Sequence, residues 1–338
     1  MRSLWARMGT FVVVVALVIG TAGVAGYATA PAAPDRVDAT VEKDYFTSER
    51  IVENAQLAPR SGEIELSEQP ERTVMISTDS SVEAVEPVVR ALVRNGHEVR
   101  IHGGGGTPMP VTGILGGATM ASASVSSSSG ALASELAEVD ALFAVGGSQF
   151  SDAEYATIEE FAANGSFVLA TDPGGTFQGS ASDALTSRFG VAVGDGYLYN
   201  MHENDANFQR IYAEGGTSDL AAGVGRVVLD TAVPLQVNAA GTPGLTATEQ
   251  TKYDTTRESS TYRVAVQSGN AIVIGDADFM APLDYNRADN EVFLGNVLDH
   301  LVDTPENPYS VPTEDPQRPT PPTEATPGEP STGTGAGA

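Results

Sequence analysis

Four aspartates directly follow short apolar segments and are the residues best placed to do chemistry: Asp79, Asp172, Asp276 and Asp278. Short apolar segments between polar turns are typical of buried strands. Ligands of an open parallel sheet bind outside the carboxyl ends of its strands. We therefore predict one strand-end pocket, whose carboxylates could hold a hard divalent cation such as Ca²⁺ or Mg²⁺. The alternative is that each aspartate only caps a helix or turns the chain.

The same pocket is predicted to include Gly146, Gly147 and Ser148, which follow the apolar segment 141–145. A serine nucleophile on a sharp elbow has glycine two residues after it. Phe150 occupies that position here. We therefore interpret Ser148 as part of the turn before the next helix, and the sequence assigns no catalytic residue.

Histidine chemistry is not predicted either. The chain has 4 histidines, of which His300 stands near the end of a helical segment, where a cation suits the helix dipole. His202, Glu203 and Asp205 form a polar cluster without a zinc-binding spacing, which we interpret as an exposed loop.

The composition excludes several classes of function. Without cysteine, no disulfide, thiolate zinc site, iron–sulfur cluster or thiol nucleophile is possible. A net charge of −26 argues against binding nucleic acid. No cofactor is predicted apart from the divalent cation. Such acidity with almost no lysine favours a protein that works in high salt, where its charges are screened; an ordinary acidic extracellular protein is the alternative.

The apolar pattern predicts an α/β fold, with an open, mostly parallel sheet flanked by helices. Strands are predicted at 72–77 and 98–101, with a helix between them that a Ser80–Glu83 capping box begins. This order is typical of a right-handed β–α–β unit. The pattern repeats with strands at 141–145 and 167–170, between which a second capping box, Ser151–Glu154, begins a helix. A hairpin at 262–274 and a closing helix at 289–302 follow.

We predict four regions along the chain, beginning with a transmembrane anchor or signal segment at 1–30. A polar stalk follows at 31–70, then a domain at 71–302 with a Gly/Ser-rich insertion at 103–130. Residues 303–338 are rich in proline and threonine and are expected to be a disordered tail.

The N-terminal segment decides where the domain would lie. Arg2 and Arg7 precede a largely apolar run, Phe11–Ala30, which is long enough to span a bilayer. The arginines predict a cytoplasmic N-terminus and an extracellular domain on a single-pass cell-membrane protein. Cleavage after Ala28-Thr29-Ala30 is the alternative, and it also exports the domain.

The segment 141–172 resembles the core of class I glutamine-amidotransferase-like domains: an apolar strand ending in Gly-Gly, a helix ending in Asn-Gly, and a second apolar strand. Together with the segment 275–279 and with Asp289-Asn290 before the last helix, it looks most like the DUF4350 group. The resemblance covers about 71–302 and implies an amidotransferase-like, flavodoxin-like fold, often in membrane-associated proteins. With the acidic composition, we expect a haloarchaeal source.

One departure from the resemblance bears on activity. Active amidotransferases carry a nucleophilic cysteine on the turn that corresponds to 171–175, which has no thiol here. We therefore expect no glutaminase activity. The expected function is a membrane-anchored, exported, non-catalytic domain that binds an unidentified small molecule or protein. The alternatives are a divergent carboxylate- or metal-dependent hydrolase and a purely structural envelope component.

Overall fold

The computed structural model describes seven ranges of the chain: 57–79, 81–103, 131–148, 150–174, 181–238, 241–306 and 308–309. The predicted anchor, almost all of the predicted insertion and most of the predicted tail lie outside them. Within these ranges, every helix is too short or too polar to cross a membrane.

The described ranges contain strands and helices of mostly modest length. The strands are β1 Thr73–Thr78, β2 Glu98–Gly103, β3 Ala141–Val145, β4 Ser166–Ala170, β5 Val191–Val193, β6 Leu198–Tyr199, β7 Arg210–Gly215, β8 Arg226–Asp230, β9 Leu235–Val237, β10 Thr242–Ala247, β11 Lys252–Tyr253, β12 Arg263–Ser268 and β13 Ala271–Ile274. The helices are α1 Glu86–Arg94, α2 Ala131–Leu136, α3 Asp152–Ala162, α4 Ala181–Thr186 and α5 Asn290–Val302.

The α/β class is confirmed, with a sheet that is mixed. Its parallel half has the order β2-β1-β3-β4-β13. From β13 the sheet continues antiparallel through β12, β10, β7 and β8, while β9 pairs with β12 and β5 pairs with β9. The antiparallel half comes largely from residues 191–262, where the sequence predicts only a few short strands.

The parallel strands are buried on both faces because helices cover each side. Alternate residues of a strand point to opposite faces. Val74 and Ile76 of β1 therefore pack in one apolar cluster with residues of α1 and α5. Met75 between them packs in a second cluster with residues of α2 and α3. The unbroken apolar runs in the sequence reflect this double burial.

Local turn chemistry sets several helix boundaries. Glu154 Oε2 accepts a hydrogen bond from the Ser151 backbone N–H at 2.7 Å, which confirms the second predicted capping box before α3. Gly96 follows α1 with φ +89°, which glycine adopts without steric cost. The first helix differs from the prediction: a 3-10 turn at Val82–Val85 precedes α1. Ser80 lies outside the described residues.

Residues 57–70, which composition assigns to the stalk, pack on the domain. Ile64 is 2% exposed. Gly62 donates its backbone N–H to Glu291 Oε1 at 3.2 Å, and Ser67 donates to Asp299 Oδ1 at 2.8 Å. The segment thus runs beside α5. Its few apolar residues have no regular spacing, so the sequence gives no periodic signal for this packing.

The first residues of the predicted tail also pack. Tyr309 is 6% exposed, and its ring centroid lies 6.3 Å from that of Phe161. Arg72 Nε donates a hydrogen bond to the Thr304 carbonyl at 2.8 Å. The packed region therefore extends at least to 309.

Candidate strand-end site

The strand order places a topological switch point between β1 and β3. The chain leaves β1 for β2 on one side, then returns to β3 on the other side of β1. The connections at such a point diverge and leave a crevice at the carboxyl ends of the strands, which is where open α/β sheets bind ligands. Asp79 follows β1 and Gly146 follows β3, so both residues lie at this switch point.

Asp79, Gly146 and Ser148 are in contact there. Ser148 Oγ donates a hydrogen bond to Asp79 Oδ2 at 2.7 Å. Gly146 has φ +74°, and a Cβ added to it would lie 2.1 Å from the same carboxylate oxygen. Gly146 is therefore required both by its backbone conformation and by the closeness of Asp79. Gly147 follows, and its carbonyl accepts a hydrogen bond from Tyr155 Oη at 3.5 Å.

A carboxylate cluster lies further along the same edge. Asp172 follows β4, while Asp276 and Asp278 follow β13, which pairs with β4. Each carboxylate offers an oxygen within 4.8 Å of the others. Asp172 and Asp278 are exposed, whereas Asp276 is fully buried. Three of the four predicted aspartates therefore form one group that has the geometry to surround a cation.

Asp276 also has a structural role that the sequence does not indicate. Its Oδ2 accepts a hydrogen bond from the Asp230 backbone N–H at 2.6 Å, and its Oδ1 accepts one from the Asp278 N–H at 2.8 Å. The first bond joins the end of β13 to the end of β8. Asp276 thereby satisfies an N–H that an edge strand would otherwise leave unpaired.

Two further side chains cover the same edge of β8. Asp289 Oδ2 accepts hydrogen bonds from the backbone N–H groups of Gly225 and Arg226, at 2.8 and 2.9 Å. Asn290 Oδ1 accepts one from Val228 at 2.8 Å, and its Nδ2 donates to the Val228 carbonyl at 3.0 Å. Side chains beside the start of α5 therefore occupy the positions that another strand would fill.

Burial, and after it the crowding of like charges, raises the pKa values of the cluster. Burial raises the pKa of Asp172 to about 6, against the effect of a hydrogen bond from the Ala277 N–H at 2.8 Å. Protein surrounds most of this carboxylate, although the residue still reaches solvent. Burial and the nearby Asp172 raise the pKa of Asp276 well above its usual range. Burial, then Asp230, also raise the pKa of Asp278. A proton or a cation would relieve this repulsion.

An arginine that the sequence does not single out holds the surroundings of the cluster together. Arg210, at the start of β7, contacts Asp230 at 3.0 Å, Asp284 at 2.6 Å and Asp205 at 3.3 Å. Asp205 is fully buried and lies 3.7 Å from Arg287, so the predicted exposed loop at 202–205 is wrong for this residue. The sequence gives no signal for this network because its members come from separate segments.

His300 lies away from the site. It belongs to the last turn of α5, and its carbonyl accepts a hydrogen bond from Ser166 Oγ at 3.2 Å. Ser166 begins β4, so His300 is near the amino end of the strand whose carboxyl end carries Asp172. The geometry therefore gives it no part in the chemistry of the strand-end edge.

The side chains of the edge can accept hydrogen bonds and bind cations. Asp79, Asp172 and Asp278 present exposed carboxylates. The described part of the turn after β4, 171–174, contains no thiol. Carboxylate oxygens are the ligands that Ca²⁺ and Mg²⁺ prefer. The arrangement therefore suits a cation or a ligand rich in hydrogen-bond donors.

Comparisons with known proteins add little to this geometry. No protein-family model and no curated protein matches the chain. Among solved structures, the chain is similar to one described as "mmIFT52 N-terminal domain", with 10% sequence identity and a TM-score of 0.49. The match covers 68% of this chain and 97% of that one.

Proposed function

We propose that this protein is a membrane-anchored, exported, non-catalytic α/β domain that binds a cationic ligand, in the simplest case a divalent metal ion, at its strand-end edge. The observation that carries the proposal is the group Asp172, Asp276 and Asp278, with oxygens within 4.8 Å of one another. Burial and the neighbouring carboxylates raise the pKa values of this group, and a bound cation would favour its ionised forms.

The fold assignment in this proposal is an amidotransferase-like domain of the DUF4350 type. The parallel strands support it. Numbered by their order along the chain, they lie across the sheet as 2-1-3-4-5, with β13 as the fifth, which is the flavodoxin-like order. The turn that carries the cysteine of active amidotransferases follows β4, where this chain has Thr171 and Asp172. A domain that keeps the scaffold without the nucleophile is suited to binding.

The proposed location follows from the N-terminal sequence. The run Phe11–Ala30, with Arg2 and Arg7 before it, supports a single anchor with the domain outside the cell. The excess of acidic residues, 44 against 18 basic ones, supports a salt-rich environment. Under this proposal the cationic ligand, whether a metal ion, a small molecule or a group on a partner protein, reaches the site from outside the cell.

The test is calorimetric titration of the full-length protein in detergent with CaCl₂ and with MgCl₂. We expect saturable binding with a dissociation constant on the order of 10⁻⁴ to 10⁻³ M, the range of extracellular calcium modules. Asp172→Asn should weaken it at least tenfold, whereas Asp195→Asn, on an exposed turn, should leave it unchanged. Absence of saturable binding of either ion would refute the cation site.

A divergent hydrolase is the second candidate, and the pKa of Asp172 favours it. A carboxyl group with a pKa of about 6 can exchange protons near neutral pH, as a general acid or base must. Asp172→Asn and Asp278→Asn should then abolish hydrolysis of an amide, ester or glycoside substrate without unfolding the domain. Asp276→Asn is unsuitable as a test, because an amide NH₂ would face a backbone N–H that now donates to Asp276. Activity unchanged in both variants would eliminate this candidate.

A further inference from the structure

The turn between α3 and β4 carries an acceptor sequence for N-linked glycosylation, Asn164-Gly165-Ser166. The pattern is asparagine followed two positions later by serine or threonine, with any residue except proline between them. No other asparagine of the sequence satisfies it. Such a short pattern also arises by chance, so its meaning depends on whether packing and hydrogen bonding already account for each of the three residues.

Packing and hydrogen bonding account for Gly165 and Ser166. A Cβ added to Gly165 would lie 2.7 Å from Pro308 Cγ and 3.1 Å from the Phe161 ring, so only glycine fits without displacing these neighbours. Ser166 begins β4, is 4% exposed and donates a hydrogen bond from its Oγ to the His300 carbonyl at 3.2 Å. Both residues therefore have a structural role whether or not the turn is modified.

Asn164 has no comparable role. It is exposed, and its side chain forms no hydrogen bond with the residues that the structure describes. Asn95, which follows α1 in the same way, donates a hydrogen bond from its Nδ2 to the Ala91 carbonyl at 2.8 Å and so caps its helix. Helices also end in asparagine or glycine because these residues adopt positive φ, yet neither Asn164 nor Gly165 does so. The usual reasons for Asn-Gly at a helix end therefore do not explain Asn164.

We propose that Asn164 is a glycosylation site, whose donor is a sugar activated by a bond to the phosphate of a membrane lipid. The proposal rests on the export of the domain, which is part of the proposed function. In the transfer, Asn164 Nδ2 forms a bond to the anomeric carbon of the sugar, and the bond from that carbon to the phosphate oxygen breaks. The lipid phosphate leaves with the electron pair, and the amide gives up one of its two protons to a base of the transferring enzyme.

The burial of Ser166 sets the order of glycosylation and folding. The acceptor sequence includes the serine hydroxyl, so the transferring enzyme must reach it. In the folded domain this hydroxyl is bonded to α5, and β4 lies between β3 and β13 in the sheet. The glycan is therefore attached before β4 joins the sheet. Because Asn164 is exposed, the folded domain then carries this bulky group without disturbing its packing.

The glycan would lie away from the carboxylate cluster. Asn164 precedes β4 and Asp172 follows it. At a rise of about 3.3 Å per residue, the strand alone separates its two ends by about 13 Å. Glycosylation at the amino end of β4 thus leaves the cation site open to solvent, and the two sites can be tested separately.

The experiment is peptide mass spectrometry of the full-length protein recovered from the membranes of its source organism. We expect the peptide that contains Asn164 to be heavier by the mass of at least one sugar residue. Asn164→Gln should lose this increment completely, and it should fold because the Asn164 side chain has no hydrogen bond to lose among the described residues. Asn207→Gln, at an exposed asparagine outside any acceptor sequence, is the matched control and should keep the increment.

A second measurement tests the order of the two events. Unmodified folded protein and an unfolded synthetic peptide of residues 158–170 are each incubated with membranes of the source organism. We expect the peptide to gain the sugar and the folded protein to remain unmodified. Equal modification of both, or a peptide that gains no sugar, would overturn the inference that transfer precedes folding.

Several results would overturn the proposed site. An unmodified Asn164 in the exported protein would do so, as would a mass increment that Asn164→Gln retains, because the sugar would then lie on another residue. Unmodified Asn164 together with saturable Ca²⁺ binding would refute the glycan and leave the cation site standing. Glycosylated Asn164 without cation binding would refute the cation site alone. A domain that protease added to intact cells cannot reach would refute the export on which this site depends.

Discussion

Replacing Asp172 by asparagine should stabilise the folded protein at neutral pH. Burial raises the pKa of Asp172 to about 6, against about 3.9 in an unfolded chain. The folded state therefore binds the proton more tightly than the unfolded state does. Stability from this group is present below about pH 4 and is lost as pH rises through about pH 6. Asparagine cannot ionise, so the variant does not lose this stability as pH rises. Its Oδ1 can still accept the hydrogen bond from Ala277.

The size of the effect follows from the pKa shift. A difference of roughly two units corresponds to about 3 kcal/mol at full ionisation. Asp172 is solvent-exposed in part, and solvent screening reduces the electrostatic cost of such a group. We therefore expect Asp172→Asn to add about 1 to 2 kcal/mol to the free energy of unfolding at about pH 8. For a domain of this size that is a melting temperature higher by about 2 to 8 °C.

The assay is urea denaturation without divalent cations and at constant salt, at about pH 4 and about pH 8, the two sides of the predicted loss. The free energy of unfolding of the variant should be nearly equal to that of the unmodified protein at the lower pH and greater at the higher pH. Asp195→Asn, on an exposed turn, controls for the change in net charge. If Asp172→Asn destabilised the protein at the higher pH, or changed stability equally at both, the carboxylate would not be under electrostatic strain.

Two further predictions use the same denaturation measurement. Gly146→Ala should lower the free energy of unfolding by about 2 to 4 kcal/mol, because alanine at positive φ is strained and its Cβ would meet the Asp79 carboxylate. Gly269→Ala, at φ +60° with open space around it, should lower it by about 1 kcal/mol. Equal losses in the two variants would contradict the steric argument. Arg210→Met should lower the free energy of unfolding by about 3 kcal/mol, because Asp205, Asp230 and Asp284 lose the cation that they share. Arg263→Met, at an exposed arginine, is the control. A loss as small as that of the control would show that the network contributes little.

The parallel half of the fold is predictable because its signals are local. β1, β3 and β4 are short apolar runs buried on both faces, and a capping box or a turn glycine separates them from helices. The hairpin of β12 and β13 also has its own local signal, Ser268-Gly269-Asn270. In such segments the identity of an element depends on residues within a few positions of it.

The antiparallel half is less predictable because its strands depend on distant partners. β10 contains Pro243 and Gly244, which disfavour a strand when they are considered alone. It pairs with β12 through two register shifts, and with β7, which precedes it by almost thirty residues. β7 has only two buried side chains, Ile211 and Ala213. Neither strand carries a pattern strong enough to identify it before the sheet is known.

The same distinction applies to the site. The rule that ligand groups follow strand ends finds Asp79, Asp172, Asp276 and Asp278 from the sequence, since they follow three strands with local signals, β1, β4 and β13. The rule does not find their partners or the groups around them. Asp276 is separated by 46 positions from Asp230, whose N–H donates to it, and Arg210 beside the cluster is separated from Asp284 by 74. Such pairings follow from strand order and helix placement, which the local sequence does not determine.

Asp276 decides how ligand binding at the carboxylate cluster would affect the rest of the protein. It lies between Asp172 and Asp278 on one side and the Asp230 N–H on the other, where β8 ends. Asp230 in turn contacts Arg210. Because a bound cation stabilises the ionised form of Asp276, it would strengthen the hydrogen bond that this carboxylate accepts from β8. Ligand binding at the parallel half should therefore also protect the antiparallel half, and the Asp230 amide should exchange its hydrogen more slowly when Ca²⁺ is bound.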